Sequence, residues 1–434
     1  MIHQAGGNRD RPVRAAQEGD RFFPGCGDNR LRTGSIGRRG SSGPGACRDD
    51  IKTGREPLSR SINILLTCGE TSGEYHAGKL ISAIKERSPG SRVIALGGEL
   101  LEELGAEVSF PMERYSFMGF SEIISGIPRI ISLENELKSL MKSGGIDLFI
   151  PVDYPGLNLR LAGYASRQNI PVMYFISPQI WAWGGWRIRR MRKFIDQMVV
   201  ILPFEEKLYR DAGIPVFFAN HPVLNEIKSP EKPKEAPDQG SSFRILLFPG
   251  SRKQEVGRML PPMLDAARIL RKKFGGAEFI LGVAPLIGIE GVEVPDDLRD
   301  IVRVTGKGLE ELQNVSLVLA SSGTVTLQTA VSGTPLVAMY RTSFMSYLLA
   351  RLMIRIPYVA MPNVLAGEKV IPELIQKEVT GPRIADEAQR ILTSRNEYRS
   401  ISSSLLALRE KLRGGGGIER VAELALEMPF KKSI

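Results

Sequence analysis

Short apolar runs alternate with polar, helix-like stretches along this chain from residue 62 onward. In the first half these runs are INILLTC, RVIAL, IDLFIPV, PVMYFI and QMVVILP, and in the second half they are FRILLFP, AEFILGVA, IVRVTG, LVLASS and PLVAMY. Near-continuous hydrophobicity is typical of strands buried on both faces, and the intervening helices imply right-handed βαβ crossovers. The pattern therefore predicts two parallel, Rossmann-like α/β sheets.

Two segments break this alternation and suggest domain limits. Residues 1–60 include RTGSIGRRGSSGPGACRDD, which is rich in Gly, Ser and Arg without apolar periodicity, so we predict a disordered or misassigned N-terminal extension. The stretch KSPEKPKEAPDQGSS predicts a linker at 228–242. We expect one domain at 61–227, a second at 243–382, and C-terminal helices at 383–434. Two such domains enclose a cleft between the carboxyl ends of their sheets, where ligands of open α/β sheets bind.

Composition narrows the class of partner. The length of 434 residues suits two domains, and the net charge of +10 favours an anionic partner such as nucleic acid, a membrane surface or a phosphorylated substrate. The cysteines Cys26, Cys47 and Cys68 form neither a disulfide framework nor a zinc pattern, which favours a reducing compartment. We expect no transmembrane span, since no run of about 18 apolar residues occurs. The scattered histidines and the lack of a DxD pair predict no metal site.

Two turns in the first half carry candidate chemistry. GETSGEYHAGK (69–79) follows the first strand and opens a helix, whose free N–H groups favour anions. The alternative is a ligand-free capping box formed by Thr71 and Glu74. PVDYPGLNLRLAG (151–163) places Asp153 at the end of a strand, where the carboxylate either faces the cleft or stabilises a turn.

Two turns in the second half repeat the arrangement of strand, small residues and helix. LFPGSRKQEVGR (247–258) puts Arg252 where a helix begins. An arginine there opposes the helix dipole unless an anion is present, and its planar fork suits a diphosphate, although it could simply be solvated. ASSGTVTLQTAVSGTP (320–335) offers Ser322, Gly323 and Thr324 to phosphate oxygens and Gln328 to ribose hydroxyls, with a Ser/Thr-capped helix as the alternative.

All tryptophans of the chain lie in SPQIWAWGGWRIRR (177–190), directly before an arginine cluster. Interleaved Arg and Trp also suit single-stranded nucleic acid, but the buried-sheet context disfavours that interpretation. Two further stretches, 112–131 and 341–359, mix apolar residues with arginine. They predict either core segments or a face that lies on an anionic bilayer.

Several motifs together carry a family resemblance. GETSGEYHAGK, MGFSEII, VDYPGLN, SPQIWAWGGWRI, LPFE, FPGSR, SSGTVTLQ and PNVLAGEKVIPELIQ occur in this order between Ile62 and Leu426. In these motifs the chain resembles the lipid-A-disaccharide synthases, inverting glycosyltransferases of the GT-B class. SPQIWAW followed by LPFE is the most specific part of the likeness. The resemblance departs at Gln328, where the family often has Glu.

The resemblance implies a reaction and a set of site residues. The reaction joins UDP-2,3-diacylglucosamine to 2,3-diacylglucosamine 1-phosphate (lipid X), releases UDP, and belongs to lipid A biosynthesis. It implies an acceptor-binding first domain and a UDP-sugar-binding second domain, without metal or cofactor. Asp153 would remove the proton of the acceptor 6-hydroxyl, and Arg252 with the Ser322–Thr324 turn would stabilise charge on UDP. The further implied substrate-binding residues are Glu70, Ser72, His76, Gly250, Ser251, Gln328, Asn363, Glu373 and Gln376.

The resemblance also implies a location in the cell, and two alternative functions stay open. It predicts a cytoplasmic protein, peripheral on the inner face of the cytoplasmic membrane of a Gram-negative-type bacterium, with no nucleic acid partner and with a homodimer left open. The tryptophans would wall the region between the domains and in part line acyl chains. One alternative is another GT-B UDP-sugar transferase or epimerase. The other is a non-catalytic lipid-binding relative.

Overall fold

The computed structural model describes most of the chain after residue 60, and the described residues belong to one compact unit, Glu56–Ile434. The described ranges are 61–114, 120–181, 187–238, 240–343, 347–348, 351 and 356–431. The extension predicted at 1–60 lies outside these ranges. So do Trp183, Trp186 and part of each of the two apolar stretches.

Parallel strands in the first half, residues 61–227, form two hydrogen-bonded groups that meet edge to edge. One group has the order β3-β2-β1-β4 and the other the order β5-β6-β7. Single bridges from Phe149 to Val172 and from Val152 to Phe175 join β4 to the β5 side. The strands are β1 (Asn63–Thr67), β2 (Arg92–Gly97), β3 (Glu107–Pro111), β4 (Leu148–Pro151), β5 (Met173–Phe175), β6 (Gln197–Val200) and β7 (Val216–Phe218).

The inner strands of this sheet, β1, β2, β4, β5 and β6, are largely buried on both faces, which explains their near-continuous hydrophobicity. Ile64 and Leu66 of β1 belong to one apolar cluster, whereas Leu65 between them belongs to a second cluster on the opposite face. Successive side chains of a strand point to opposite faces, so each face needs its own helical cover. The helices are α1 (Thr71–Arg87), α2 (Glu99–Glu103), α3 (Phe120–Lys142), α4 (Pro155–Arg167), α5 (Ile188–Met191), α6 (Pro203–Asp211) and α7 (Val223–Glu226).

The second half has a parallel sheet with the order β10-β9-β8-β11-β12-β13. Its strands are β8 (Phe243–Phe248), β9 (Ala277–Gly282), β10 (Val302–Thr305), β11 (Leu317–Ser321), β12 (Leu336–Tyr340) and β13 (Glu373–Ile375). The strand order reverses between β1 and β4 in the first sheet and between β8 and β11 in the second. This is the doubly wound arrangement, in which ligands bind at the point of reversal. The prediction of two parallel, Rossmann-like sheets is confirmed.

Helices complete the second half. They are α8 (Lys253–Phe274), α9 (Thr324–Val331), α10 (Met361–Ala366), α11 (Gly381–Thr393), α12 (Arg395–Lys411) and α13 (Ile418–Lys431). Short 3₁₀ turns lie at Met112–Arg114, Ile289–Gly291, Asp296–Leu298, Gly308–Gln313 and Gln376–Glu378. No described helix combines the length and the apolar character needed to cross a membrane.

The last helix returns to the first half of the molecule. Val421 and Leu426 of α13 are buried in the same apolar cluster as Ile64. The glycine run before α13 makes this crossing along the backbone of β7. The Gly415 N–H donates to the Phe218 carbonyl, and a Cβ on Gly414 would lie 2.2 Å from that carbonyl oxygen. Only glycine fits so close to a backbone oxygen.

The segment predicted as a linker, 228–242, is attached to the second half over its described residues. The backbone N–H of Lys234 donates to Ser402 Oγ at 2.8 Å, and its ammonium donates to the Leu312 carbonyl at 2.7 Å. Burial lowers the pKa of Lys234 to about 8. Lys234 thus anchors the connection at the end of the 3₁₀ turn Gly308–Gln313.

Candidate active site

The candidate residues follow directly on strands at the carboxyl edges of the two sheets. In the first half Glu70 follows β1 and Asp153 follows β4, and these two strands are neighbours. In the second half Arg252 follows β8 and Ser322 follows β11, which are also neighbours. Because parallel strands end at one edge, each sheet brings its two turns side by side at its switch point.

Asp153 is held in an unusual backbone conformation. Its φ is 44° and that of Tyr154 is 45°, so two successive non-glycine residues adopt positive φ. Three contacts fix the segment: the Asp153 N–H donates to the Phe175 carbonyl at 3.1 Å, and the Asp153 carbonyl accepts from Asn158 Nδ2 at 2.8 Å and from the Tyr174 hydroxyl at 2.7 Å. Such conformations persist where the surroundings over-determine them, and they cluster at functional sites.

The environment of Asp153 makes its carboxylate more basic. Burial is the largest cause, the negative charge of Glu70 adds to it, and a hydrogen bond from the Tyr154 backbone opposes both; together they raise the pKa of Asp153 to about 6. Burial and a like charge both disfavour the ionised form. A carboxylate with this pKa is still mostly ionised near neutral pH and accepts a proton more readily than an ordinary aspartate.

The turn after β1 packs against the Asp153 segment. A Cβ on Gly69 would lie 2.3 Å from Cγ of Tyr154, so glycine is required for the ring to cover this turn. Helix α1 begins at Thr71 with Glu70 as its N-cap residue, whereas the capping-box alternative requires Thr71 at the N-cap. Glu74 is buried against Gly98, where a Cβ would lie 2.6 Å from its Oε1.

The remaining candidates on α1 differ in exposure. Ser72 is exposed at the first turn of the helix, near the anion-favouring N–H groups. His76 is half-buried, and burial is the main cause that lowers the pKa of its imidazole. Its Nδ1 has no hydrogen-bond partner among the described residues. A neutral imidazole in this position is a candidate donor or acceptor for a substrate group.

A buried carboxylate that the sequence did not single out organises the tryptophan segment. Glu205 is 2% exposed, and its Oε1 accepts from Ser177 Oγ at 2.6 Å and from Trp181 Nε1 at 3.1 Å. Its Oε2 accepts from the Leu202 N–H at 3.3 Å, which caps α6. Burial raises the pKa of Glu205 to about 7, against the lowering effect of these donors. The LPFE motif therefore holds the SPQIW motif in place.

Trp181 is the one tryptophan that lies within the described ranges. Its ring meets Phe204 edge to face, with centroids 4.9 Å apart, and it packs against the apolar cluster of the second half. Trp181 thus lies between the two halves, with its indole N–H bonded to Glu205. Trp181 therefore makes a packing contact between the two halves.

The turn after β8 presents an arginine to the edge of the second sheet. Gly250 has a φ of +120°, a conformation that L residues rarely adopt. Arg252 is the N-cap residue of α8, is exposed, and has no ion pair within the described ranges. Ser251 donates its backbone N–H to Glu255 Oε2 at 3.1 Å. The turn therefore offers a guanidinium beside the anion-favouring start of a long helix.

The turn after β11 lies beside it and starts a second helix. Gly323 is the N-cap residue of α9, and both Gly323 and Thr324 are exposed. The Ser322 N–H donates to the Met339 carbonyl at 2.7 Å, and its partly exposed hydroxyl donates to the Val359 carbonyl at 3.3 Å. These exposed groups suit an anionic oxygen, as the sequence predicted for this motif.

Gln328 takes part in a polar link between the halves. Its Nε2 donates to Glu226 Oε2 at 3.4 Å, and Glu226 Oε1 accepts from Lys79 Nζ at 3.3 Å. Lys79 belongs to α1 and Gln328 to α9, so the chain of contacts joins the helices behind the two anion-favouring turns. Gln328 keeps its amide oxygen available, since the Glu226 contact uses the nitrogen.

The PNVLAGEKVIPELIQ motif supports a loop beside Ser322. Asn363 is fully buried and satisfies both its donors and its acceptor within this loop. Glu373 accepts from the N–H groups of Val359 and Ala360 at 3.0 Å, and Gln376 accepts from the Thr342 N–H at 3.1 Å. Asn363 thus holds this loop together, and its role as a substrate-binding residue stays a prediction.

The sequence profile of the Lipid-A-disaccharide synthetase family matches residues 64–416. The chain belongs to this family. Asp153, Arg252, Gln328 and Asn363 all lie within the matched range, so the turns described above are part of the shared core.

The alignments with curated relatives cover nearly the whole length of each relative. Lipid-A-disaccharide synthase of Syntrophus aciditrophicus (strain SB) is 37% identical over 377 residues, which are 85% of this chain and 98% of the relative. Lipid-A-disaccharide synthase of Trichlorobacter lovleyi (strain ATCC BAA-1151 / DSM 17278 / SZ) is 35% identical over 383 residues, with 86% and 98% covered. The stretch outside these alignments is about as long as the predicted N-terminal extension.

A solved structure supports the fold class. The glycotransferase of kitacinnamycin superposes with a TM-score of 0.56 at 16% identity, and the match covers 85% of this chain and 99% of the other. This likeness concerns architecture alone. The predicted GT-B fold, with two Rossmann-like sheets, is confirmed.

Proposed function

We propose that this protein joins UDP-2,3-diacylglucosamine to lipid X and releases UDP, as a step of lipid A biosynthesis. Family membership supports this reaction, because the curated relatives are lipid-A-disaccharide synthases. The observation that carries the proposal is Asp153, a carboxylate of raised pKa at the carboxyl edge of the first sheet. It is the group best suited to activate an acceptor hydroxyl.

The chemistry is a single displacement with inversion. The acceptor 6-hydroxyl attacks the anomeric carbon of the UDP-sugar while Asp153 takes the hydroxyl proton. The bond from the anomeric carbon to the diphosphate oxygen breaks, and UDP leaves. A base with a pKa of about 6 matches this task, because it combines the ionised form at neutral pH with proton affinity. Glu70 sustains that proton affinity through its charge.

The second half would bind the nucleotide. Arg252 is exposed and has no described ion-pair partner, so its fork is available to the diphosphate. The exposed turn from Ser322 to Thr324 would contribute further donors, and the amide oxygen of Gln328 would accept from a ribose hydroxyl. Donors fixed at helix starts need little reorganisation when charge develops on the leaving group.

We also propose attachment to the cytoplasmic face of an anionic membrane. Ile131 is 52% exposed beside the exposed Arg129, and Leu348 is 43% exposed between the exposed Arg341 and Arg351. Apolar side chains bordered by arginine suit an anionic lipid surface, and the net charge of +10 favours the same partner. A homodimer is compatible with this arrangement.

The test is release of UDP by the purified protein under three acceptor conditions. With lipid X present, UDP should appear together with a tetra-acylated disaccharide 1-phosphate detected by mass spectrometry. With no acceptor, or with glucosamine 1-phosphate that lacks acyl chains, release should be low. UDP release that ignores lipid X would indicate another transferase or an epimerase. UDP-sugar binding without any release would indicate a non-catalytic relative.

A further inference from the structure

One carboxylate connects the two turns at the edge of the second sheet. Glu255 Oε2 accepts from the Ser251 N–H at 3.1 Å, and Glu255 Oε1 accepts from Ser321 Oγ at 2.5 Å. Ser251 lies in the turn after β8, and Ser321 is the last residue of β11, directly before Ser322. A single side chain in the first turn of α8 thus joins both candidate phosphate-binding turns.

The surroundings of Glu255 accommodate both its volume and its negative charge. A Cβ on Gly250 would lie 2.3 Å from Cδ of Glu255, so the glycine leaves the space that the carboxylate fills. The negative charge is favoured at this position by the dipole at the start of α8. Ser321 is 3% exposed, and within the described ranges its hydroxyl bonds only to Glu255. Departure of the carboxylate would therefore leave a buried hydroxyl unsatisfied, which is costly.

We infer that Glu255 is a positioning residue for the nucleotide diphosphate, an inference that rests on the proposed UDP-sugar site. It fixes the turn of Arg252 against the turn of Ser322–Thr324 before the nucleotide arrives. The diphosphate then meets donors whose spacing is already set, so binding requires less ordering of the two turns. Glu255 remains in place when the nucleotide is bound, because its contact with Ser321 has no replacement among the described residues.

The experiment measures UDP affinity by calorimetry for the parent and for Glu255→Ala, Glu255→Gln and Ser321→Ala, with Glu293→Gln as an exposed control. Loss of hydrogen bonds to a charged group predicts UDP affinity about tenfold to a hundredfold lower for Glu255→Ala. Glutamine keeps the shape and can bond to both serines, so Glu255→Gln should stay within about threefold of the parent. The control should match the parent.

Two further readouts separate positioning from a general structural defect. The KM for lipid X should stay within about twofold in every variant, because the acceptor binds to the other half. Ser321→Ala should reproduce part of the loss, and the double variant with Glu255→Ala should lose no more than Glu255→Ala alone, since both changes remove one shared contact.

Results that contradict the inference can be distinguished from a result that contradicts the proposed function. Tighter UDP binding by Glu255→Gln would mean that the carboxylate occupies the phosphate position and must leave, which would overturn the inference. Equal UDP affinity in the parent, Glu255→Gln and Ser321→Ala would overturn it as well, even if Glu255→Ala fails to fold. A parent protein that does not bind UDP would instead reject the proposed function.

Discussion

Replacing Asp153 by asparagine should stop catalysis and stabilise the folded protein at neutral pH. Asparagine has the size of aspartate and tolerates positive φ, so the backbone at 44° should persist. It lacks basicity, so the acceptor hydroxyl would lose its proton acceptor. General-base assistance is typically worth about 10²–10⁴ in rate, and we expect turnover to fall by that factor. Affinity for UDP should not change.

The expected gain in stability comes from the pKa of Asp153, which rises from an ordinary 3.8 to about 6 in the folded protein. Each pKa unit corresponds to about 1.4 kcal/mol, and partial exposure of the side chain reduces the effect, so we expect about 1–3 kcal/mol. Below pH 4 the carboxyl is protonated in both folded and unfolded protein, so its ionisation does not lower the free energy of unfolding. Above pH 6 it is ionised in both states, and the folded protein bears the full cost.

The assay is urea unfolding of parent and Asp153→Asn from pH 4 to pH 8, with activity measured on the same samples where the protein is folded. The free energy of unfolding of the variant should exceed that of the parent by an amount that grows from pH 4 to about pH 6 and then stays constant. The control Asp300→Asn, at an exposed position, should show no such trend. Parental activity should fall as the pH decreases through about 6. A stability difference that does not depend on pH, or a variant with near-parental turnover, would refute this reasoning.

Three further predictions concern other parts of the chain. Arg252→Ala should weaken UDP binding by about 1.5–3 kcal/mol with only partial rescue by lysine, measured by calorimetry, and unchanged affinity would exclude Arg252 from the site. Deletion of residues 1–60 should leave lipid-X-dependent UDP release within a few fold, so inactivity of a truncated but folded protein would contradict it. Glu205→Ala should lower the free energy of unfolding by about 2–4 kcal/mol, because buried donors lose their acceptor, whereas Trp181→Phe should cost only about 1 kcal/mol in urea titrations. Similar losses in these last two variants would argue against Glu205 as the organising group.

The sequence predicted all the central strands, and of the partly exposed edge strands it predicted only β10, from the run IVRVTG. The strands β3, β7 and β13 were not predicted, and each is an edge strand that contains partly exposed residues. An edge strand covers less apolar surface, so its hydrophobic pattern is weak. Central strands such as β1 and β11 are buried on both faces and gave continuous apolar runs.

For the site, local features could be predicted from the sequence and long-range contacts could not. The turns that carry Asp153 and Arg252 could be predicted because a strand, small residues and a helix follow one another locally. The roles of Glu205, which holds Ser177 and Trp181, and of Glu255, which joins the turn of Arg252 to Ser321, could not be predicted, because their partners are distant in sequence. Glu205 and Ser177 are 28 residues apart, and Glu255 and Ser321 are 66 residues apart. Only the folded chain brings these groups together.

The local motif of a capping box shows the limit of pattern matching. The spacing of Thr71 and Glu74 fits that motif, but α1 starts one residue earlier than the motif requires, with Glu70 at its N-cap. Glu74 is instead packed against Gly98 in the interior.

One displacement at the edge of the first sheet is proposed to join two acylated glucosamines. The most direct measurement is an NMR analysis of the product formed from UDP-2,3-diacylglucosamine and lipid X, with UDP quantified in the same sample. We expect one disaccharide 1-phosphate for each UDP, linked to the acceptor 6-oxygen with inverted anomeric configuration. A product of retained configuration, or UDP accompanied by free sugar instead of disaccharide, would contradict it.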